Sequence, residues 1–311
     1  MSRLAGFWWL CLTLLLSAGC ASHSAAVSGP TVASQVVHQN ISVMANDDRP
    51  VDVRVFYQAA GCDGCPLILF SHGANATYDR YDVLLQAWAR EGYVVAAPLH
   101  VDSELHPRRA DYGREDHLPT RLEDVAATLE YLQTGEADGI AGISLAPDYI
   151  AAGHSFGALI AQIAGGARLP DQSLDGMSRP LAVIAVSPPG PVPGFIEPSA
   201  WSSIEAPMLV TTGTTDFVPF VAPAWEDHLA SFENAPAALS GALIFDDIDH
   251  YFNGAFGRID EVTAADSAVE NLNKAITAFI RQVRGGIPVA DMRLLEEGAT
   301  GVQFITRENH D

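Results

Sequence analysis

Nearly continuous apolar runs recur along this chain, and such runs are typical of strands that are buried on both faces of a parallel sheet. They lie at residues 66–71, 92–98, 148–152, 181–186, 207–212 and 242–248. Segments with helical spacing or helix-forming composition lie at residues 81–90, 120–133, 158–164 and 264–284. Because strands alternate with helices, the pattern predicts an α/β fold with a doubly wound, mostly parallel sheet and helices on both faces.

The hydrophobic pattern at the two ends of the chain differs from the continuous apolar runs at its centre. Residues 41–43 and 51–57 alternate apolar and polar side chains around a polar turn, which predicts an antiparallel hairpin at the start of the sheet. In the C-terminal tail, residues 302–305 are expected to form a short extra strand. The long polar segment 100–119 is either a lid or a solvated loop.

Ser155 lies at the junction between a predicted strand and a predicted helix. Residues 153–157 read Gly-His-Ser-Phe-Gly, and the two glycines permit a tight turn that exposes the serine hydroxyl at a helix N-terminus. The N–H groups of that terminus favour a developing negative charge. Ser155 is therefore predicted to be a nucleophile. Under the alternative, Ser155 only caps the helix, which does not account for two glycines placed symmetrically around it.

A serine nucleophile needs a base that takes its proton and an acid that orients the base. His250 is the predicted base, because it follows the last main strand at the sheet edge where ligands collect in open α/β proteins. Six of the other nine histidines are weaker candidates, because they lie in the tether, the tail, the polar segment, a second helix or beside Ser155: His23, His38, His117, His154, His228 and His310.

Asp216 is the predicted acid, since it follows an apolar strand and a glycine turn and completes the chain order Ser, Asp, His. Alternatively, Asp216 is only a turn or helix-cap residue. Asp246, Asp247 and Asp249 are the rival acids, and all lie too close to His250 along the chain to reach its ring easily.

Backbone N–H groups usually stabilise the oxyanion in such sites. Phe156, directly after the nucleophile, and Ala74, after the His-Gly pair at 72–73, are the predicted donors. An acyl pocket is expected to draw on five aromatic side chains, each of which has a core position as its alternative: Phe156, Phe195, Trp201, Phe217 and Phe220.

Together these motifs resemble the α/β-hydrolase superfamily over roughly residues 51–284. The segments 70–73, 92–98, 121–125 and 153–157 carry the resemblance, with Asp216 and His250. Within the superfamily the chain is similar to bacterial dienelactone-hydrolase-like and platelet-activating-factor-acetylhydrolase-like esterases, although Ser155 stands where true dienelactone hydrolases use cysteine.

The resemblance implies a serine carboxylic-ester hydrolase that forms an acyl-enzyme. Its expected substrate is a small-molecule or lipid-like ester, and it requires no cofactor or metal. An acyltransferase of the same fold and a non-catalytic surface lipoprotein are the alternatives.

The N-terminus is predicted to be a targeting segment. Arg3 precedes an apolar run at 7–16, which is too short to span a bilayer and typical of a signal peptide. The run leads to Cys20 and resembles a bacterial lipoprotein signal, which implies a lipidated Cys20 and, with Ala21 after it, an outer-membrane location. Secretion into the periplasm or beyond is the alternative. The predicted divisions are a signal peptide at 1–19, the lipidated cysteine and tether at 20–39, the catalytic domain at 40–285 and the tail, expected to pack on it, at 286–311.

Charge and cysteine content limit the partners. The formal net charge of −21 at pH 7 disfavours nucleic acid as a partner and leaves the lipid anchor as the expected membrane contact. Cys62 and Cys65 are predicted to form a small disulfide outside the cytoplasm. A redox motif would need a strand–motif–helix context, and a zinc site would need two further ligands.

Overall fold

The structure is a computed structural model that describes residues 35–45, 48–134, 140, 142–170, 177–256 and 266–307. The predicted signal peptide, Cys20 and most of the tether lie outside the described residues. The strands are β1 Val36–Met44, β2 Pro50–Gln58, β3 Cys62–Ser71, β4 Val94–Pro98, β5 Ile143–His154, β6 Ala182–Val186, β7 Met208–Gly213, β8 Ser240–Phe245 and β9 Val302–Thr306. The α-helices are α1 Asp82–Arg90, α2 Arg114–Gln133, α3 Phe156–Ala164, α4 Ala230–Asn234 and α5 Asp266–Arg284.

All nine strands form one sheet in the order β1-β2-β4-β3-β5-β6-β7-β8-β9. The pairs from β4 through β8 are parallel, as the apolar runs predict. β1 and β2 form the predicted antiparallel hairpin. In the tail, β9 pairs antiparallel with β8, so this part of the tail belongs to the sheet.

Helices cover both faces of the sheet, which explains why its central strands are apolar at successive positions. On β3, Leu67 and Leu69 pack with α2 and α3, whereas Ile68 and Phe70 pack with α1 and α5. Every residue of β4 and of β6 is buried. The predicted fold class is therefore confirmed.

The loop within the polar segment 100–119 ends earlier than predicted, at Gly113. α2 begins at Arg114, so that its first turns take up the last part of this segment. Proline is best tolerated in the first turn of a helix, and Pro119 lies in the second turn of α2, just before the predicted start at residue 120. The N–H of Gly113 donates to Asp116 at 2.8 Å and closes the first turn of the longer helix.

Cys62 and Cys65 are joined by the predicted disulfide, with their Cα atoms 5.8 Å apart. The bridge lies at the start of β3, where the pairing with β5 is irregular. No helix in the described part of the chain has the length and apolar character needed to cross a membrane.

Candidate active site

Ser155 occupies a strained turn between β5 and α3. Its φ of 54° and ψ of −121° are a costly backbone conformation for a residue that has a side chain. The Ser155 side chain makes no capping hydrogen bond to α3. Helix capping therefore does not account for the strain, whereas a sharp strand-to-helix turn at the carboxyl edge of the sheet does.

The two glycines beside Ser155 are required by close backbone contacts. A Cβ atom on Gly153 would lie 2.2 Å from the carbonyl oxygen of Gly157, and one on Gly157 would lie 1.9 Å from that of Ser71. α3 consequently begins directly against the end of β3. A Cβ on Gly73 would lie 3.6 Å from the Cβ of Ser155, so the nucleophile candidate lies beside the loop that follows β3.

Asp216 and His250 form a hydrogen-bonded pair at the same edge of the sheet. Asp216 follows β7, His250 follows β8, and Nδ1 of His250 lies 2.8 Å from Oδ1 of Asp216. Burial opposes the charge on Asp216, but contacts from His228 and His250 outweigh it and hold the pKa of the Asp216 carboxyl well below its usual range. Because Nδ1 of His250 faces an ionised carboxylate, Nε2 is the nitrogen that can take a proton from a serine hydroxyl.

Asp249, the rival acid nearest to His250 along the chain, binds backbone N–H groups of its own loop. Oδ1 of Asp249 accepts hydrogen bonds from the N–H groups of Tyr251 and Asn253, at 2.9 and 2.7 Å. Asp249 thus shapes the base loop, residues 246–256, that carries His250.

His154 connects three parts of the site. Its Nε2 donates to the carbonyl oxygen of His250 at 2.8 Å, and its Nδ1 lies 2.9 Å from the hydroxyl of Tyr81, which also accepts the N–H of Gly73 at 3.1 Å. Burial lowers the pKa of His154 well below its ordinary value, so the ring is neutral and has one donor and one acceptor for these partners. The side chain next to Ser155 thereby joins the loop after β3 to the base loop.

The geometry of the site agrees with the match to known families. A strained serine follows β5, an acid follows β7 and a histidine follows β8, on a mostly parallel sheet. The model of the alpha/beta hydrolase family matches residues 68–293. The chain belongs to the alpha/beta hydrolase family.

Solved structures resemble this alpha/beta hydrolase over most of its length. A candidate dienelactone hydrolase from Klebsiella pneumoniae subsp. pneumoniae MGH 78578 superposes with a TM-score of 0.56 at 15% identity, covering 80% of this chain and 99% of that chain. Puromycin hydrolase gives 0.57 at 16% identity, covering 86% and 42%. A thermostable esterase from Pseudomonas putida ECU1011 gives 0.55 at 13%, covering 79% and 83%. No curated protein matches the sequence. At these identities the structural likeness establishes the fold.

The loop after β3 in this hydrolase is held from behind by a buried arginine of α2. Nη1 of Arg121 donates to the carbonyl oxygen of His72 at 2.6 Å, and Nη2 donates to that of Gly73 at 3.0 Å. Arg121 also donates to both carboxylate oxygens of Asp102 at 2.8 Å. Asp102 in turn accepts the N–H of Asn75 at 3.0 Å. We call residues 71–75 the oxyanion loop.

This clamp fixes the peptide N–H of Ala74, because the backbone groups on both sides of it are bound. The Arg121 guanidinium also lies 4.6 Å from the centre of the Phe156 ring. One buried cation thus contacts both the oxyanion loop and the residue predicted to give the second N–H donor. Burial opposes the charge on Asp102, but Arg121 outweighs it and holds the pKa of the Asp102 carboxyl below its usual range.

We expect Arg121→Lys to lower kcat for an ester by roughly 100- to 1,000-fold with little change in KM, because the oxyanion donors lose their fixed direction. Lysine keeps the charge but has no planar fork for two carbonyls and a carboxylate. The free energy of unfolding should fall by about 2 kcal/mol, because an ammonium cannot replace all of the buried hydrogen bonds of the guanidinium. Steady-state kinetics and urea unfolding measure the two effects.

Arg284→Lys is the matched control, because Arg284 also binds both oxygens of an aspartate, Asp148, at 2.9 Å, but on a half-exposed surface. A wild-type kcat in Arg121→Lys would contradict the positioning role.

Reasoning from single positions missed Arg121, Asp102 and His228. His228 lies in a 3-10 helix, Trp225–Leu229, in agreement with the predicted helix, and its Nε2 lies 2.8 Å from Oδ1 of Asp216. Asp216, His228 and His250 are the one cluster in the described ranges whose donor atoms, within 4.8 Å of one another, are close enough for a shared metal ion. Their 2.8 Å contacts are shorter than the roughly 3.3 Å between ligands of a tetrahedral zinc site. The contact between His250 and Asp216 is a hydrogen bond, whereas Nε2 of His228 makes none.

A cavity of about 960 Å³ opens beside the oxyanion loop. Its lining includes Ala74, Arg109, Tyr112, His117, Phe156 and Phe195. Part of the polar segment 100–119 therefore borders the cavity. Of the other aromatic residues expected at an acyl pocket, Trp201 is buried in the core, whereas Phe217 and Phe220 are 62% and 95% exposed.

Proposed function

We propose that this alpha/beta hydrolase is a serine carboxylic-ester hydrolase that acts on a small or lipid-like ester through an acyl-enzyme. The observation that carries the proposal is the 2.8 Å contact between His250 Nδ1 and Asp216 Oδ1 at the same sheet edge as the strained, half-buried Ser155. A helix cap or a turn aspartate explains neither the strain nor the buried pair.

The proposed reaction begins when Ser155 Oγ attacks the ester carbonyl and its proton passes to Nε2 of His250. The Asp216 carboxylate stabilises the imidazolium that forms. The N–H groups of Phe156 and Ala74 hold the negative oxygen of the tetrahedral intermediate. The intermediate collapses as His250 returns the proton to the alcohol oxygen, which leaves. Water then attacks the acyl-Ser155 ester by the same steps and releases the acid.

Labelling with a fluorophosphonate tests the proposal directly. The folded protein should be modified at one site, and peptide mass mapping should place the label on Ser155. Ser202→Ala, on an exposed surface position, serves as the control and should label like the wild type. A folded protein that stays unlabelled and hydrolyses no member of an acetate-to-palmitate ester panel would favour a non-catalytic binding role.

Added glycerol or methanol separates hydrolysis from acyl transfer. The hydrolase should release mainly free acid in the presence of either alcohol. A new ester as the main product would instead identify an acyltransferase of the same fold.

We also propose that the protein is lipid-anchored through Cys20 at the bacterial outer membrane. The support is the apolar run at 7–16, the small residues before the cysteine and Ala21 after it. Cell fractionation of wild type and Cys20→Ala, with mass analysis of the mature N-terminus, tests this. A wild-type protein that is released without lipid would point to ordinary secretion.

A further inference from the structure

The exposed phenylalanine and tyrosine side chains of this protein collect at one edge of the sheet. Within the described ranges there are four of them, and each lies on a loop that follows a parallel strand: Phe195 after β6, Phe217 and Phe220 after β7, and Tyr251 after β8. Because parallel strands end on the same side, this is the edge that also carries Asp216 and His250. The active-site edge is therefore also the aromatic edge of the surface.

Two of these loops contain the same five-residue turn. The first and last residues of the turn exchange two backbone hydrogen bonds, at 2.9 and 2.7 Å in residues 192–196 and at 2.6 and 2.8 Å in residues 218–222. Both turns begin with Val-Pro. The N–H of Gly190 donates to the carbonyl oxygen of Val221 at 3.2 Å, which joins the two loops. We call residues 192–196 and 217–222 the aromatic loops.

The third residue of each turn has a positive φ, and the two turns fill this position differently. Gly194 has a φ of 76°, and Phe220 has a φ of 69°. Glycine adopts this conformation freely, whereas it is costly for a large side chain. The Phe220 ring is exposed, so burial in the core does not offset the cost. Strain of this kind, held by a well-bonded turn, is typical of a residue with a functional contact.

The aromatic loops lie in two stretches without charge. Residues 187–196 and 217–225 contain no charged side chain, although the formal net charge of the chain is −21. These loops can therefore approach a bilayer without the repulsion that the acidic surface brings elsewhere, and phenylalanine is a residue that interfacial segments bury in lipid. Glu197 and Glu226, directly after the two stretches, are exposed, which favours a zwitterionic over an anionic lipid surface.

We propose that the aromatic loops dock the active-site edge on a phospholipid bilayer, with the Phe220 side chain inserted among the lipids. Docking itself does not depend on the proposed function, whereas its effect on the turnover of a lipid-borne ester rests on that function. Phe195 lines the cavity beside the oxyanion loop together with Phe156 and Ala74. The cavity consequently opens next to the docked surface, where an ester leaves the bilayer.

The exposed area favours a bilayer over a second copy of the chain. With about 200 Å² for a whole phenylalanine, the 62% and 95% exposed fractions of Phe217 and Phe220 amount to roughly 300 Å². A stable protein interface buries about 800 Å² on each partner. Insertion into a bilayer needs no complementary surface, so two projecting side chains suffice.

The proposed lipid anchor permits this orientation. β2 is antiparallel to both β1 and β4, so β1 runs in the direction of β4 and Val36 lies at the edge opposite the aromatic loops. Fifteen residues separate Cys20 from Val36, and a chain of that length spans at most roughly 55 Å. A folded domain of this size is roughly 50 Å across, so the tether is long enough to pass it.

Tryptophan fluorescence on vesicles tests the insertion. Full-length protein that carries Phe220→Trp is added to phosphatidylcholine vesicles, and the emission of the new tryptophan is obtained as the difference from wild type. We expect this emission to shift to the blue and to be quenched by brominated phosphatidylcholine. Ile287→Trp, at an exposed position after α5, is the matched control and should be neither shifted nor quenched.

Three results of this experiment would overturn the proposal. The first is a Phe220→Trp emission that brominated lipid does not quench. The second is equal quenching of Phe220→Trp and Ile287→Trp, which would show adsorption without a preferred edge. The third is an emission that responds to protein concentration and not to lipid, which would identify a contact between two copies of the chain.

Phe220→Gly separates docking from folding, because it copies the turn at Gly194. Its urea midpoint should rise, since the strain at this position is removed. Turnover of an ester dispersed in phosphatidylcholine vesicles should fall roughly tenfold or more, because the burial of one phenylalanine is lost. The kcat/KM for soluble p-nitrophenyl acetate should stay at the wild-type value. Met44→Ser, which removes an exposed apolar side chain from β1, is the control and should change neither rate.

An equal loss on both esters in Phe220→Gly would show that the loop supports Asp216 and not a membrane contact. Activity that survives Ser155→Ala would instead refute the proposed function and leave the quenching result standing.

Discussion

Ser155→Ala is expected to lower kcat for p-nitrophenyl butyrate by roughly a millionfold, because the reaction loses its nucleophile while the oxyanion loop and the cavity stay intact. KM should change little, since the substrate is still bound. Stopped assays at high enzyme concentration measure the residual rate. The absence of a fluorophosphonate adduct in the same variant shows that no other serine takes over.

A second substitution at the elbow distinguishes lost chemistry from lost folding. Ser155→Gly is expected to be equally inactive but more stable by about 1 kcal/mol, because glycine adopts a φ of 54° without strain. Urea unfolding of both variants measures this difference. Activity within tenfold of wild type in either variant would refute Ser155 as the nucleophile.

Asp216→Asn is expected to lower kcat at pH 7 by roughly 10,000-fold. An amide at this position no longer stabilises the imidazolium of His250, and its N–H group favours the wrong tautomer of the ring. Asp246→Asn, a rival acid in the base loop, is the matched control and should stay within about twofold of wild type. A loss smaller than tenfold in Asp216→Asn would exclude the triad role.

Stability should respond to the same substitution in a pH-dependent way. The pKa of Asp216 is depressed in the folded protein, so its charge contributes stability above about pH 4, and this contribution is lost as the pH falls toward the folded pKa. Wild type should therefore exceed Asp216→Asn in free energy of unfolding at pH 7, and the difference should shrink with acidification below pH 4. Urea midpoints at pH 7, 4 and 3 measure it.

The parts of the fold and site that depend on local pattern were accessible from the sequence. The apolar runs of β4 and β6 predict strands because both sheet faces are covered, and the glycines at 153 and 157 predict the elbow because backbones meet there. The positions of Asp216 and His250 after successive strands predict one sheet edge, since parallel strands end on the same side.

The parts that depend on tertiary contacts were not accessible. Arg121 and Asp102 are charged residues that single-sequence reasoning assigns to water, and only the folded chain shows that each satisfies the other in the interior. His228 lies beside Trp225 and Leu229 in the sequence, which suggests a helix face and conceals its contact with Asp216. The first turns of α2 were also not accessible, because their polar residues show no apolar spacing and a proline, Pro119, lies within the helix.

The His154 network separates two properties of the protein that evolution can change independently. Through Tyr81, Gly73 and the carbonyl oxygen of His250, the groups proposed to do chemistry brace one another across loops that follow three different strands. Part of the cavity lining, by contrast, comes from Tyr112 and Phe195, which take no part in that bracing. Substitutions in the cavity lining can therefore change the selectivity for one ester over another, while the groups proposed to do the chemistry stay the same.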